Sequence, residues 1–218
     1  LLASAQKDLS MCSFRLFGLQ KPKEKEVWST EVTKEDLKNA VEDEFGVKYS
    51  KDWKRLLEAN IGSDGVYSIR KGVKVIAKNA FLYCLCLDNI NIPNSVISIG
   101  SNAFKGCWSL KSINIPESVT CIEDYAFAYC KSLKSINIPN SVTSIGEWAF
   151  SDCDFLTSIN IPKGLTSIGE CAFWGCDSLS PQVTSDIIQR FGIYVFYVED
   201  DWFLRNCPDY FIHRIHDP

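Results

Sequence analysis

"INIPNSVISIGSNAFKGCWSLKS" fills residues 90–112, and its pattern returns from 113, 136 and 159 with nothing inserted or deleted. A more divergent copy precedes them, giving five consecutive 23-residue units at 67–89, 90–112, 113–135, 136–158 and 159–181. Self-similarity at a fixed period of this length is the signature of a solenoid. One unit cannot bury its apolar side alone, so each depends on the coils above and below it.

A single unit reads as follows. Ile90 and Ile92 flank Asn91, so both isoleucines face inward on a short strand and Asn91 faces out. Pro93 has no N–H to donate and ends that strand. Val96 and Ile99 turn back to the core. "NAFKGC" then spaces Ala103, Phe104 and Cys107 as on one α or 3₁₀ turn, with Phe104 inward. Leu110 re-enters the core before the next strand. The predicted fold class is an α/β repeat solenoid, a right-handed superhelix of five coils. It carries a parallel sheet on one face and short helical turns on the other.

The flanks read as caps over the ends of the stack. Residues 1–66 hold a predicted helix at about 34–45, with Thr33 as N-cap and Gly46 as stop, followed by short strands within 47–59 around a turn at Ser50–Lys51–Asp52. Residues 182–218 hold a short helix ending at Gly192, a predicted strand in "IYVFYV" (193–198) and an aromatic tail.

Bulk properties exclude several functions. The net charge of −4 and pI near 5.3 leave no electrostatic footprint for nucleic acid or anionic membrane. No apolar run approaches the ~18 residues of a bilayer span. Lys7 and Asp8 interrupt any signal-peptide core in "LLASAQKDLSMCSF", and the lack of a leading Met suggests a start inside a precursor.

Ten cysteines raise the question of disulfides or metal. Cys84, Cys107, Cys130, Cys153 and Cys176 occupy one slot of successive coils, where stacked side chains point the same way. A disulfide needs converging Cβ vectors, so the column reads as a structural ladder of buried thiols acting as small hydrophobes. No C-x-x-C or zinc spacing occurs. The abundance of free thiols favours a reducing cytosol or an anaerobic habitat. The only histidines, His213 and His216, stand near Cys207; a Cys/His enzyme is the remote alternative, and no cofactor is expected.

Leu110, Ile113, Ile115, Pro116, Ser118, Val119, Ile122, Ala126, Phe127 and Cys130, repeated in neighbouring units, carry a pattern that resembles the BspA-like, or Treponema pallidum-type, leucine-rich repeat. The resemblance covers residues 47–181, and "YSKDWKRLLEAN" is similar to the segment before the repeats in members from Bacteroides-like gut bacteria. It departs in unit three, with Glu123 where other units hold Gly, and in unit one, with Ala77. That backbone slot therefore does not demand a positive φ. The resemblance implies a non-enzymatic leucine-rich-repeat protein-interaction module, on the surface of an anaerobic microbe or secreted by it, often adhesive. The alternative is an intracellular scaffold, or a spacer domain of a longer protein, and a cytoplasmic location would suit its free cysteines. A protein partner is expected, with the chain itself a monomer or weak oligomer and no insertion into a membrane.

Two surfaces compete for that partner. The outward strand slot holds Asn91, Asn114, Asn137 and Asn160, either an amide ladder or a binding face. At about 24 Å by 10 Å it offers about 250 Å², well below the ~800 Å² per partner of a standard interface. The other surface is aromatic. Tyr125 and Trp148 share a slot on adjacent coils, while Trp108, Tyr129, Phe155 and Trp174 stand where other units hold Lys, Asp, Ser or Gly. These rings either anchor a partner or lap over the core.

Overall fold

The Ile-x-Ile pattern becomes a strand because alternate side chains of an extended chain fall on opposite faces, and only one face meets the core. The computed structural model describes residues 28–61 and 65–197. It begins with α1 (Lys34–Lys38), then β1 (Val41–Glu42), β2 (Lys48–Tyr49) and β3 (Arg55–Glu58), an antiparallel cap. The helix predicted over 34–45 is thus a single turn. Thr33 and Asp36 form its capping box, and Asn39 ends it. The Asp43 carboxylate then accepts the N–H groups of Phe45 and Val47, folding 43–47 into the turn that joins β1 to β2. Ion pairing of Arg55 with Asp36 at 2.9 Å ties α1 to β3.

Each coil contributes two strands, one more than the alternation predicts. The first series is β4 (Val66–Ser68), β6 (Asn89–Asn91), β8 (Ser112–Asn114), β10 (Ser135–Asn137) and β12 (Ser158–Ile159). The second is β5 (Val75–Ile76), β7 (Ser98–Ile99), β9 (Cys121–Ile122), β11 (Ser144–Ile145) and β13 (Ser167–Ile168). Between them Pro93 opens a turn closed by the Val96 N–H on its carbonyl at 3.0 Å. All pairing between coils is parallel at the 23-residue period, as in Ile90 on Ile113 and Ile136 on Ile159. The second series continues the antiparallel cap, because β3 pairs in parallel with β5.

The third side of the coil is where helical turns are predicted, and it is built of tandem β-turns instead. In the second coil the Ala103 N–H reaches the Gly100 carbonyl, Lys105 reaches Asn102, and Cys107 reaches Phe104, at 3.1–3.2 Å. Two residues per coil lie in the left-handed region, which a helix cannot accommodate in sequence. They form one column of Asn79, Asn102, Tyr125, Trp148 and Cys171, and a second of Tyr83, Gly106, Tyr129, Asp152 and Gly175, with φ between 54° and 73°. The intervening N–H groups bond across coils, as from Phe104 to the Ala126 carbonyl at 2.8 Å.

Phe81, Phe104, Phe127, Phe150 and Phe173 stack down the centre, ring centroids 5.1–5.4 Å apart and planes within 9°. Gly146 has no positive φ; a Cβ there would stand 2.6 Å from the Asp124 backbone nitrogen of the neighbouring coil, so glycine serves close approach.

At the C-terminal end, α2 (Pro181–Phe191) starts from an N-cap at Ser180 and covers the last coil. Its Arg190 donates to the carbonyls of Pro162 and Leu165. The strand predicted in 193–198 does not form over its described residues, 193–197. Ile193–Val195 is a 3₁₀ turn, and the Phe196 ring packs on Phe173 with centroids 5.7 Å apart and planes tilted by 34°. Phe196 stands 23 residues after Phe173, as Gly192 does after Gly169. The segment is therefore the turn side of a sixth, partial coil whose strands α2 replaces. Among the described residues no helix is long and apolar enough to cross a membrane.

Candidate interaction surface

The thiol column lies inside the stack. Cys84, Cys107, Cys130, Cys153 and Cys176 are buried and free. Their Sγ atoms donate to the carbonyls of Ala59, Phe81, Phe104, Phe127 and Phe150 at 3.1–3.3 Å. Each thiol thus points at the backbone of the layer before it, the cap for Cys84 and the preceding coil for the others, where the carbonyl of Phe104, for one, already holds the Cys107 N–H. Burial pushes the thiols of Cys107, Cys130, Cys153 and Cys176 up, away from nucleophilic thiolate. All eight described cysteines are free, and no group of three or more ligating side chains could hold a metal among the described residues. Cys12, Cys207, His213 and His216 lie outside the described residues, as do "EDD" (199–201) and the aromatic tail.

The asparagine slot faces solvent, but no amide ladder forms. Asn91, Asn114 and Asn137 are exposed and make no side-chain hydrogen bond to each other. Asn160 instead accepts the Ile138 N–H and donates to its carbonyl, both at 2.7 Å. The reason is local: β12 is one residue shorter than β10, and the Asn160 amide stands in for the missing backbone partner.

The aromatic residues divide. Tyr125 and Trp148 are half-buried, with ring centroids 6.1 Å apart and planes 1° from parallel. Trp174 joins them, its ring 6.0 Å from Trp148 and tilted by 56°. Lys105 lies over this group, its Nζ 4.6 Å from the Tyr125 ring and 5.8 Å from Tyr129. Trp108 stands apart under Lys131 at 5.9 Å, and Phe155, 60% exposed, makes no ring contact. The structure therefore brings together Tyr125, Trp148, Trp174 and Tyr129 and leaves Trp108 and Phe155 outside.

The backbone beneath these rings is unusual. Tyr125, Tyr129 and Trp148 have φ of 57°, 60° and 55°. A bulky residue is rarely found there, and the conformation costs roughly 1–2 kcal/mol. Other coils place Asn79, Asn102, Gly106 and Gly175 in the same columns, the residue types that take this conformation most easily. Tyr83 and Cys171 share these columns too, so the left-handed slots accept several residue types at a conformational cost.

Carboxylates that sequence reasoning passed over flank the rings. Burial, then Glu147 and Asp124, push the Tyr125 phenol up; burial, then Glu170 and Glu147, push Cys171 up to about 11. Burial followed by Asp154 raises Asp152. Only a column-by-column reading places these acids beside the aromatics. In the linear sequence they are scattered surface charges.

Known proteins with this architecture can be set beside it. A BspA-type leucine-rich repeat family model matches six copies over residues 74–201. The solved leucine-rich repeat protein of T. pallidum is 31% identical, with TM-score 0.55, covering 62% of this chain and 66% of that one. A leucine-rich repeat protein from Eubacterium ventriosum is 22% identical, with TM-score 0.46, over 63% of this chain and 50% of that one. The pneumococcal vaccine antigen PcpA, 19% identical with TM-score 0.53 over 74% of this chain and 48% of that one, shares the fold. The chain thus spans between about half and two thirds of the length of these proteins. No curated protein matches it. With the family model spanning more than half its length, the chain belongs to the BspA-type leucine-rich repeat family.

Proposed function

We propose that the chain is a non-catalytic protein-interaction module of a surface-exposed or secreted bacterial adhesion protein, and that it engages its partner through the turn-side aromatics. The observation that supports the choice of face is the grouping of Tyr125, Tyr129, Trp148 and Trp174 on one side, three of them at left-handed backbone positions where asparagine or glycine stands in several other coils. Exposed aromatic rings are the usual anchors of interfaces, and the asparagine face is too small to serve alone. The surface location rests on the adhesive character of the family that the repeat resembles. A second reading, an intracellular scaffold or spacer, is favoured by eight free cysteines.

Two measurements test this reading. Protease shaving of intact source cells, followed by peptide mass spectrometry, should release peptides of this chain; their retention inside the cell refutes the surface location. Binding to immobilised purified matrix glycoproteins should be saturable for the wild type and lost in the Tyr125→Asn/Trp148→Asn double variant. Equal binding by the double variant removes the turn side from consideration.

A further inference from the structure

The charge of the turn side changes sign along the stack. The turn segments of the first two coils, 77–87 and 100–110, each carry one lysine, Lys78 and Lys105, and no acid. The third, 123–133, sets Glu123 and Asp124 against Lys131. The fourth and fifth, 146–156 and 169–179, carry Glu147, Asp152, Asp154, Glu170 and Asp177, and neither contains a lysine or arginine.

Cations already settle on the rings of the middle coils. Lys105 lies over Tyr125 and Tyr129, and Lys131 lies over Trp108 while reaching Asp154 at 3.8 Å. No lysine or arginine of the described residues lies over Trp148 or Trp174, and none pairs with Glu147 or Glu170. The chemistry that the stack satisfies internally around its third coil is therefore presented to solvent in the fourth and fifth.

An independent observation points to the same place. Lys105, Ala128, Ser151 and Trp174 form one column. Lys105 contacts the Tyr125 and Tyr129 rings and Trp174 contacts Trp148, so this column projects into the strip between the two left-handed columns. Ser151 lies in that strip, 1% exposed, with an Oγ that has no hydrogen-bond partner. The Oδ2 of Asp152 beside it is likewise buried without a partner. Uncompensated buried polar atoms are uncommon and costly in a native structure, and two side by side in this strip are consistent with a polar group approaching it.

We infer that the turn face of the fourth and fifth coils is a docking surface for a cationic, arginine-bearing segment of a partner protein, which stacks on Trp148 and Trp174 and pairs with Glu147 and Glu170. Arginine fits better than lysine. Its planar guanidinium stacks on aromatic faces and forks to two acceptors, whereas an ammonium acts as a point charge. Glu147 and Glu170 stand one coil apart, about 4.8 Å at the backbone, within the span of one guanidinium. Nucleic acid and anionic lipid meet like charge here. The inference rests on the turn side being the binding face, and it adds the chemistry of the partner.

The experiment uses the purified chain and three synthetic peptides of equal length: alternating Arg-Gly, Lys-Gly and Glu-Gly. Indole fluorescence and calorimetry read affinity at low and high salt. The arginine peptide should bind saturably at one site, tighter than the lysine peptide, and weaken in high salt; the glutamate peptide should not bind. Glu147→Gln with Glu170→Gln should weaken binding several-fold, and Trp148→Asn tenfold or more. Asn114→Ala on the sheet face should leave it unchanged. Circular dichroism confirms that each variant is folded, and glutamine in place of an exposed glutamate keeps the test valid should Trp148→Asn unfold. Binding of the glutamate peptide, indifference to the glutamine pair, or multi-site unsaturable binding overturns the inference. If the asparagine double variant loses matrix-protein binding while wild type ignores the arginine peptide, the cationic chemistry falls and the docking face stands. If the arginine peptide binds Trp148→Asn with unchanged affinity, the face itself is wrong.

Discussion

Replacing Trp148 by Asn separates a ring kept for binding from one kept for folding. The residue sits at φ 55°, and Asn102 shows that the same column accepts asparagine without other change. Relief of a bulky left-handed residue returns about 1–2 kcal/mol. Against this, loss of its two ring pairs, with Tyr125 at 6.1 Å and Trp174 at 6.0 Å, both towards the long end of the aromatic range, costs about 0.5 kcal/mol each. Exposing what half-burial of the indole had removed from water costs about 1 kcal/mol more. The opposing contributions nearly cancel, so the net change lies within about 1.5 kcal/mol of zero. A shift of that size moves the melting temperature by about 6 °C or less in a chain of this length. Phe127→Ala is the comparison, since its ring is buried between two stacked neighbours at 5.3 and 5.4 Å. That change costs about 3–5 kcal/mol. Urea titrations followed by far-UV circular dichroism measure both variants on one scale. Trp148→Asn should lose its partner while keeping a near-wild-type midpoint. A destabilisation as large as that of Phe127→Ala would refute the reasoning, because the ring would then be a core residue.

Further outcomes follow from particular contacts. Phe127→Ala should also loosen the coupling between the two halves of the stack, since coils touch only their neighbours; a lower urea m-value or a split transition reports it. In the native protein, Cys107, Cys130, Cys153 and Cys176 should resist a thiol reagent while exposed Cys86 reacts, read by peptide mapping; rapid native labelling of the four contradicts the buried ladder. Gly146→Ala should lower the urea midpoint by about 1–3 kcal/mol of stability, since its Cβ meets the Asp124 backbone nitrogen at 2.6 Å. Asp152 gives a pH signature. Its carboxyl is raised above the ordinary value of 3.8, so the folded state holds the proton more tightly than the unfolded state. Stability contributed by this group is therefore present below pH 3.8 and falls as pH rises through the raised folded value. Asp152→Asn should raise the melting temperature at pH 7, where φ of 54° suits asparagine, and the gain should vanish below pH 3.8.

Those residues also mark where sequence reading succeeds. The solenoid was legible because the 23-residue period fixes which residues stack, and Phe104, Ile90 and Leu110 are buried in every coil for reasons of volume alone. The period extends further than the strand pattern does. Counting 23 residues on from Phe173 reaches Phe196, so the sixth turn was available to column counting although no Ile-x-Ile remains to announce it. The tandem turns were harder to read, because Ala103, Phe104 and Cys107 satisfy helical spacing equally well. The distinguishing signal is the recurrence of Asn and Gly in two columns four residues apart, at Asn79 and Asn102 and at Gly106 and Gly175. Tyr83, Tyr125, Tyr129, Trp148, Asp152 and Cys171 conceal that signal by occupying the same columns. A residue that obeys its column reports only the fold. Under the proposed function, Tyr125, Tyr129 and Trp148 carry that backbone cost for the sake of a partner. The acids show the same asymmetry. Glu147 and Glu170 follow no repeat consensus and meet no cation among the described residues, yet they flank Trp148, a bulky ring at a left-handed backbone position. Backbone strain and unpaired charge are independent costs, and they meet on the fourth coil, at Trp148 and Glu147, where the proposed partner would offset both.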